Sequence, residues 1–301
     1  MALKIIITGA SGLLGKYLIA HQPVDVIDGM ASKPKHDVIG TYRENRIDGL
    51  CLDVSDKSKV IDVLFSHEPD IIIHCAANGD VDSVESNSAQ AVKSDLLGTI
   101  HLKEYAEKMK CNLITLSSNA VYEGIQPPYT ESAPRKPVNF YGKIKSLADD
   151  IIIKSSCDWL IIRPILMYGW PYEHGRANWV TKIIEKLKAK DELSLVDDSF
   201  SQPVFAGDVA DIIWKLIDRD HWNEVYNVAS PERLSIYEFG LQVAKVFDLD
   251  SSLISKASLR DFSTLAPRPV DTTFNITRLE LIGLEPSGTI DGLKKMKDEL
   301  T

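Results

Sequence analysis

Apolar and polar positions come in blocks along this chain. Short runs rich in β-branched residues recur: LKIIIT at 3–8, DVIGTY at 37–42, GLCLDV at 49–54 and DIIIHCA at 70–76, then NLITLSS at 112–118, DWLIIRP at 158–164 and EVYNVAS at 224–230. Each is continuously apolar rather than alternating, which is the pattern of strands buried on both faces. Between most of them lie longer amphipathic segments such as SDKSKVIDVLFSHEP, for which Ser55 is the expected N-cap. Continuous strands separated by helices predict an α/β, Rossmann-type doubly wound parallel sheet. Beyond residue 165 the rhythm loosens, and 231–301 reads as mostly helical with a proline-rich interruption, LAPRPVDTTF. We expect a dinucleotide-binding domain of 1–165 plus 205–230. A smaller C-terminal substrate lobe of 166–204 plus 231–301 is expected at the carboxyl edge of the sheet.

Charge then narrows the partners. A formal net charge of −9 and a pI near 5.3 argue against nucleic acid or an anionic membrane surface, since phosphate binding rewards a basic excess. Cys51, Cys75, Cys111 and Cys157 are scattered, a usage that fits a reducing compartment and neither a disulfide framework nor a zinc site. The apolar run of MALKIIITGASGLLG is too short for a secretion signal, and no run reaches membrane-spanning length. A cytoplasmic protein is expected.

The first chemical motif is TGASGLLG, with Gly9, Gly12 and Gly15 at three-residue spacing after a strand and at the opening of a helix. Glycines there allow a tight turn and bring backbone amides to a pyrophosphate at the helix N-terminus. Which dinucleotide binds depends on the end of the second strand, where an acid favours NAD and an arginine accepts a 2′-phosphate. With DVIGTY as that strand, Arg43 follows it and NADP(H) is favoured, unless Arg43 is a solvated loop charge and NAD(H) binds instead. A competing register takes VDVIDG at 24–29 as the second strand and Asp28 as the ribose ligand, but leaves little chain for the preceding helix. Asp53, at the end of the third strand, reaches the adenine or caps the next helix.

The second motif is NFYGKIKS at 139–146, which puts Tyr141 and Lys145 one helical turn apart on one face. A phenol ordinarily keeps its proton to about pH 10. An ammonium beside it favours the phenolate, which makes such a pair an acid/base suited to a hydride carrier. Ser117 and Ser118 end a central strand at the edge where ligands gather in such folds, and a serine hydroxyl there can hold a carbonyl oxygen. Other candidates read as structural. His74 is expected to be a strand-end histidine with a backbone partner, Arg163 an anchoring ion-pair or backbone-capping residue, Trp170 and Trp179 packing groups rather than pocket lining, and EKLKAKDE a solvated helix end.

Together TGASGLLG, HCAANGDVDSVESN, SSNAVYEG, PPYTESAPRKPVNFYGKIK and RPILMYG resemble the extended short-chain dehydrogenase/reductases. Within them the chain is similar to the dTDP-4-dehydrorhamnose reductase family, over most of its length, including FAGDVADII and RPVDTTFNITRLELIGL. The resemblance implies Ser118, Tyr141 and Lys145 as catalytic residues. It implies Gly9, Ser11, Gly12, Leu13 and Leu14 in the pyrophosphate loop, and Cys75, Ala76 and Ala77 along the cofactor ribose. Asp53, Val54, Ser117, Tyr141, Lys145 (on the nicotinamide ribose), Pro164 and Ile165 complete the expected cofactor contacts, with Ser118, Asn119, Tyr141 and Arg268 on a nucleotide-sugar substrate. A homodimer is the assembly the family suggests. Three departures concern the sugar site and its surroundings: Asn119 and Ala120 replace a common Asp-Tyr pair, Leu166 and Met167 precede Tyr168 where a tryptophan is usual, and Asp95 replaces an asparagine. Asn119 and Ala120 also lack the Asp-Glu pair of the 4,6-dehydratases. SSNAVY is similar to epimerase sequences as well, and the chain resembles the non-catalytic regulatory subunit of methionine adenosyltransferase.

Overall fold

In a computed structural model, which describes residues 2–27 and 30–300, all the apolar runs join one parallel sheet. Its strands are β1 (Lys4–Thr8), β2 (Asp37–Tyr42), β3 (Leu50–Cys51), β4 (Ile71–His74), β5 (Asn112–Leu116), β6 (Trp159–Pro164) and β7 (Glu224–Val228). They lie in the order β7-β6-β5-β4-β1-β2-β3, with Ile5 of β1 opposite Val38 on one side and Ile71 on the other. The order reverses at β1, so a crevice opens between the loops after β1 and β4 at the carboxyl edge, the ligand position of a doubly wound sheet.

The continuous apolar runs follow from this burial. Alternate side chains of a strand point to opposite faces. Ile5, Ile7, Ile71, Ile73, Ile114 and Ile162 enter one core, and Ile6, Ile72, Leu113 and Ile161 the other. The second core is roofed by α2 (Lys57–His67), α3 (Gly98–Met109) and α4 (Phe140–Ile153). The first core holds α1 (Leu13–Ala20) and runs without a break into later elements. Val180 and Ile183 of α5 (Trp179–Lys188), Ile213 of α6 (Ala206–Asp218), Phe239 of α7 (Ile236–Val246) and Met296 of α8 (Thr289–Asp298) all belong to it.

Two local expectations change. The N-cap of α2 is Asp56, whose carboxylate takes the amides of Ser58 and Lys59, and not Ser55. Ser55 is instead consumed by Asp53, whose carboxylate accepts its amide at 2.9 Å and its hydroxyl at 2.7 Å. That turn stops β3 after two residues and removes Asp53 as a helix cap. The segment Val24–Ile27 pairs antiparallel with Met30–Pro34 outside the main sheet, so the competing register for the second strand fails; Asp28 itself lies outside the described residues.

Two buried polar groups hold the sheet to its surroundings. Arg163 on β6 is 1% exposed and sends Nε and Nη2 to Asp149 Oδ2 at 3.1 and 2.7 Å, and Nη1 to the Tyr122 hydroxyl and the Glu131 carbonyl. The expected anchoring ion pair is therefore present. His74 at the end of β4 bonds side chains, not backbone. Thr99 gives its hydroxyl proton to the Asp95 carbonyl, so it accepts from His74 Nε2, and Nδ1 accepts from Thr8 at 2.7 Å. Burial, helped by the Lys145 charge, pushes this imidazole down to about 3. It is neutral and structural.

Two outcomes follow from these groups. Asp149→Ala strands a buried guanidinium and should cost about 3–5 kcal/mol, read as a lower urea midpoint. His74 takes up a proton on unfolding once the pH falls below its ordinary value, because its folded value is depressed. Its contribution is thus present above about pH 6.5 and lost as the pH falls toward 3, by about 2 kcal/mol between pH 7.5 and 5. Urea titrations at several pH values should show that slope in the native chain and a correspondingly flatter one in His74→Gln.

Candidate active site

The glycine loop after β1 is built by close backbone approach. Gly9 has φ +68°, and an added Cβ would fall 2.6 Å from Ala76 N and Cα, at the end of the β4 edge. Gly15 lets α1 lie against Ala10, where a side chain would collide with the backbone. Gly12 opens α1 with no side-chain cap and no acid in the first turn. The amide-rich end of the helix therefore faces the crevice, the electrostatic condition for an anion. Leu14 is buried and Leu13 partly buried beneath the loop, while Ser11 is half-buried in it.

The neighbouring edges supply the other expected cofactor residues. Arg43 follows β2, is exposed, and pairs with Glu44 at 2.8 Å. Burial works to raise the Asp53 carboxyl, but the Ser55 hydroxyl and amide, with the Arg43 charge, bring it below its usual range. Val54 packs in the second core and touches Gly98. Cys75 and Ala76 are partly buried and Ala77 exposed; burial pushes the Cys75 thiol up to about 12 against the pull of Lys145, so it is no thiolate nucleophile. Asp95 lies buried in a turn of π-helix at Val92–Leu97. Its two oxygens receive the Asn78 amide, each at 3.2 Å, and the Ser94 hydroxyl. The carboxylate that replaces the usual asparagine thus fastens the loop after Ala77.

The chemical residues converge at the end of β5. Asn139 caps α4 by accepting the Gly142 amide at 2.8 Å. A Cβ on Gly142 would collide with the Ala120 carbonyl oxygen, so α4 meets the Ser118–Ala120 turn main chain to main chain. Lys145 is 8% exposed; its Nζ donates to the Leu116 carbonyl at 2.8 Å and stands 5.9 Å from the centre of the Tyr141 ring. Ser118 Oγ accepts the Ala120 amide and donates to Asn119 Oδ1, both at 3.2 Å. Ser117 Oγ is buried with no partner among the described residues. An unpaired buried hydroxyl at the end of β5, and a glycine cradle at the end of β1 that no side chain could share, fit a polar cofactor entering the crevice. Pro164 ends β6, and Ile165 is buried against Val121, Tyr122 and Tyr129.

The strap 265–274 runs past this cluster. Arg268 pairs with Asp82 at 2.8 Å, the Pro267 carbonyl takes Asn139 Nδ2 at 3.0 Å, and Asn119 Nδ2 donates to Thr272 at 2.6 Å. Asn119 and Arg268 are thus held at separate points along the strap, by Thr272 and Asp82. Trp170 packs, its indole donating to the Met296 carbonyl and its ring meeting Phe247 edge-on. Asn139 and Gly142 escaped the sequence reading, although an asparagine before a helical run is a cap signal. Among the described residues no group of His, Cys, Asp or Glu is arranged to hold a metal, and no helix is long and apolar enough to cross a membrane.

Comparison with known proteins bears on the family and the fold. The family model described as RmlD substrate binding domain matches residues 3–301. The spore coat polysaccharide biosynthesis protein SpsK of Bacillus subtilis is 25% identical, over 98% of this chain and 97% of its own. Methionine adenosyltransferase 2 subunit beta of Xenopus laevis is 27% identical, over 93% and 83%. The crystal structure of dTDP-4-dehydrorhamnose reductase from Bacillus anthracis, in complex with NADP, superposes with a TM-score of 0.87 at 26% identity, covering 99% of this chain and 100% of that one. With its seven-stranded Rossmann-like sheet and its full-length match, the chain belongs to the RmlD substrate binding domain family and is a homologue of the dTDP-4-dehydrorhamnose reductases.

Proposed function

We propose that the protein uses NADPH to reduce the 4-keto group of a 4-keto-6-deoxy nucleotide sugar. The observation that carries this reading is the seating of Lys145, locked to the Leu116 carbonyl and beside the Tyr141 ring, with Ser118 at the end of the same strand. When bound, the cofactor supplies a hydride to the carbonyl carbon. The chain's own residues do the rest. The α1 amides meet the pyrophosphate charge, and Arg43 leaves Glu44 to pair with the 2′-phosphate. Ser118 turns its hydroxyl from Asn119 to the carbonyl oxygen and holds it. Tyr141 gives that oxygen its proton as the negative charge develops there, and the Lys145 ammonium stabilises the phenolate left behind. Arg268 takes a share of the substrate diphosphate. Asn119 and Thr272, bonded to each other beside Ser118, face the sugar.

A second reading is supported by the 27% identity to a methionine adenosyltransferase subunit: an NADP-binding regulatory subunit that makes no use of its tyrosine. NADPH consumption over a panel of 4-keto nucleotide sugars separates the two. The reductase reading expects turnover with at least one sugar. Binding of NADPH without turnover, together with capture of a methionine adenosyltransferase catalytic subunit, would establish regulation instead.

With an active sugar in hand, Tyr141→Phe should lower kcat by about a hundredfold to ten-thousandfold. Ser118→Ala should lower it by about a hundredfold or more. Full activity in Tyr141→Phe would remove the assigned proton donor. Arg43→Ala should raise KM for NADPH at least about tenfold and leave KM for NADH unmoved, since only the 2′-phosphate loses its partner.

A further inference from the structure

The segment 169–178 leaves the sheet as a loop closed at its base. Asn178 Nδ2 donates to the Gly169 carbonyl at 2.7 Å, the Trp170 amide to the Tyr17 hydroxyl at 2.9 Å, and Lys16 Nζ, one turn into α1, to the Trp170 carbonyl at 2.8 Å. Its far end reaches across the carboxyl edge of the sheet. Asn45, in the loop after β2, donates to the His174 carbonyl at 3.3 Å. Arg176 meets Asp80, in the loop after β4, at 3.2 Å, and its guanidinium lies over Gly79, within 3.5 Å of where a Cβ would stand. α1 and the loop after β4 flank the crevice described above, and the loop after β2 carries Arg43. The 169–178 loop bridges all of them.

Arg176 carries the only guanidinium of this loop, and its side chain is 57% exposed. Its partner has other commitments. Asp80 Oδ1 accepts the amides of Asp82 and Ser83 at 3.1 and 3.0 Å, as the N-cap of the helix Val81–Ser86. If Arg176 swings away, the Asp80 carboxylate keeps two amides and water, so no bare charge is left behind. Such an exposed pair holds weakly, whereas a guanidinium grips a phosphate through two parallel bonds. The geometry points to Arg176 as a diphosphate ligand carried on a lid and parked on Asp80 until a diphosphate enters the crevice. Two molecules share that chemistry, the pyrophosphate of the dinucleotide and the diphosphate of the nucleotide sugar; the second source rests on the function proposed above.

The test uses the full chain and the variants Arg176→Gln and Asp80→Asn, the latter retaining the helix cap. Dissociation constants are measured for NADPH by fluorescence, and for thymidine and uridine diphosphate by calorimetry on protein saturated with NADP. Arg176→Gln should weaken one ligand by about tenfold or more, and Asp80→Asn should tighten the same ligand by removing the competing charge. Whichever ligand moves identifies the source. If all constants in Arg176→Gln stay within about twofold of the native chain, or if Asp80→Asn weakens binding, the assignment is overturned. A native chain that binds the nucleoside diphosphate while Arg176→Gln is silent defeats only this inference; one that binds neither ligand defeats the nucleotide-sugar reading with it.

Discussion

The candidate site hangs on a contact between two main chains. α4 begins flush against the Ser118–Ala120 turn because position 142 has no side chain, and the Asn139 cap fixes where that helix starts. From this contact the rest follows by helical geometry. Tyr141 stands one residue before the contact, and Lys145 one turn on from Tyr141, close enough to bind the last carbonyl of β5. The lysine bond closes a ring of backbone and side chain that joins strand, turn and helix into one rigid piece. A similar approach occurs at Gly9 and Ala76, where β1 and β4 leave room for backbone alone. Both contacts sit at the edge where a doubly wound sheet gathers its ligands, so the glycine loop and the candidate catalytic residues share a frame built from unbending parts.

That frame is polarised. Its glycine loop offers uncapped amides, and Lys16, Lys145, Arg176 and Arg268 stand around the crevice, while the whole chain carries a net charge of −9. Each of those arginines is matched to an aspartate of one helical turn, Asp80 or Asp82. An acidic protein can thus present a local anion site without a basic surface.

Much of the fold was legible because burial on both faces writes strands as unbroken apolar runs, and every such run is a strand of the sheet. Local polar chemistry was less legible. Ser55 and Asp56 are adjacent cap formers, and only the turn made by Asp53 decides between them. The hairpin of 24–34 carries a strand's composition but pairs with itself, since the order of strands is a property of the whole sheet. Tyr141, Lys145 and Ser118 could be picked out because their spacing along helix and strand is short-range. Asn119 with Thr272, and Arg176 with Asp80, meet across long stretches of chain, and no periodicity encodes such encounters.

The core beneath β1 continues without interruption into Phe239 and Met296. Side chains of β1 and of α8, far apart along the chain, thus belong to the same apolar interior. No seam divides that interior, so the sheet and the later helices share one apolar core and come apart together rather than piecewise.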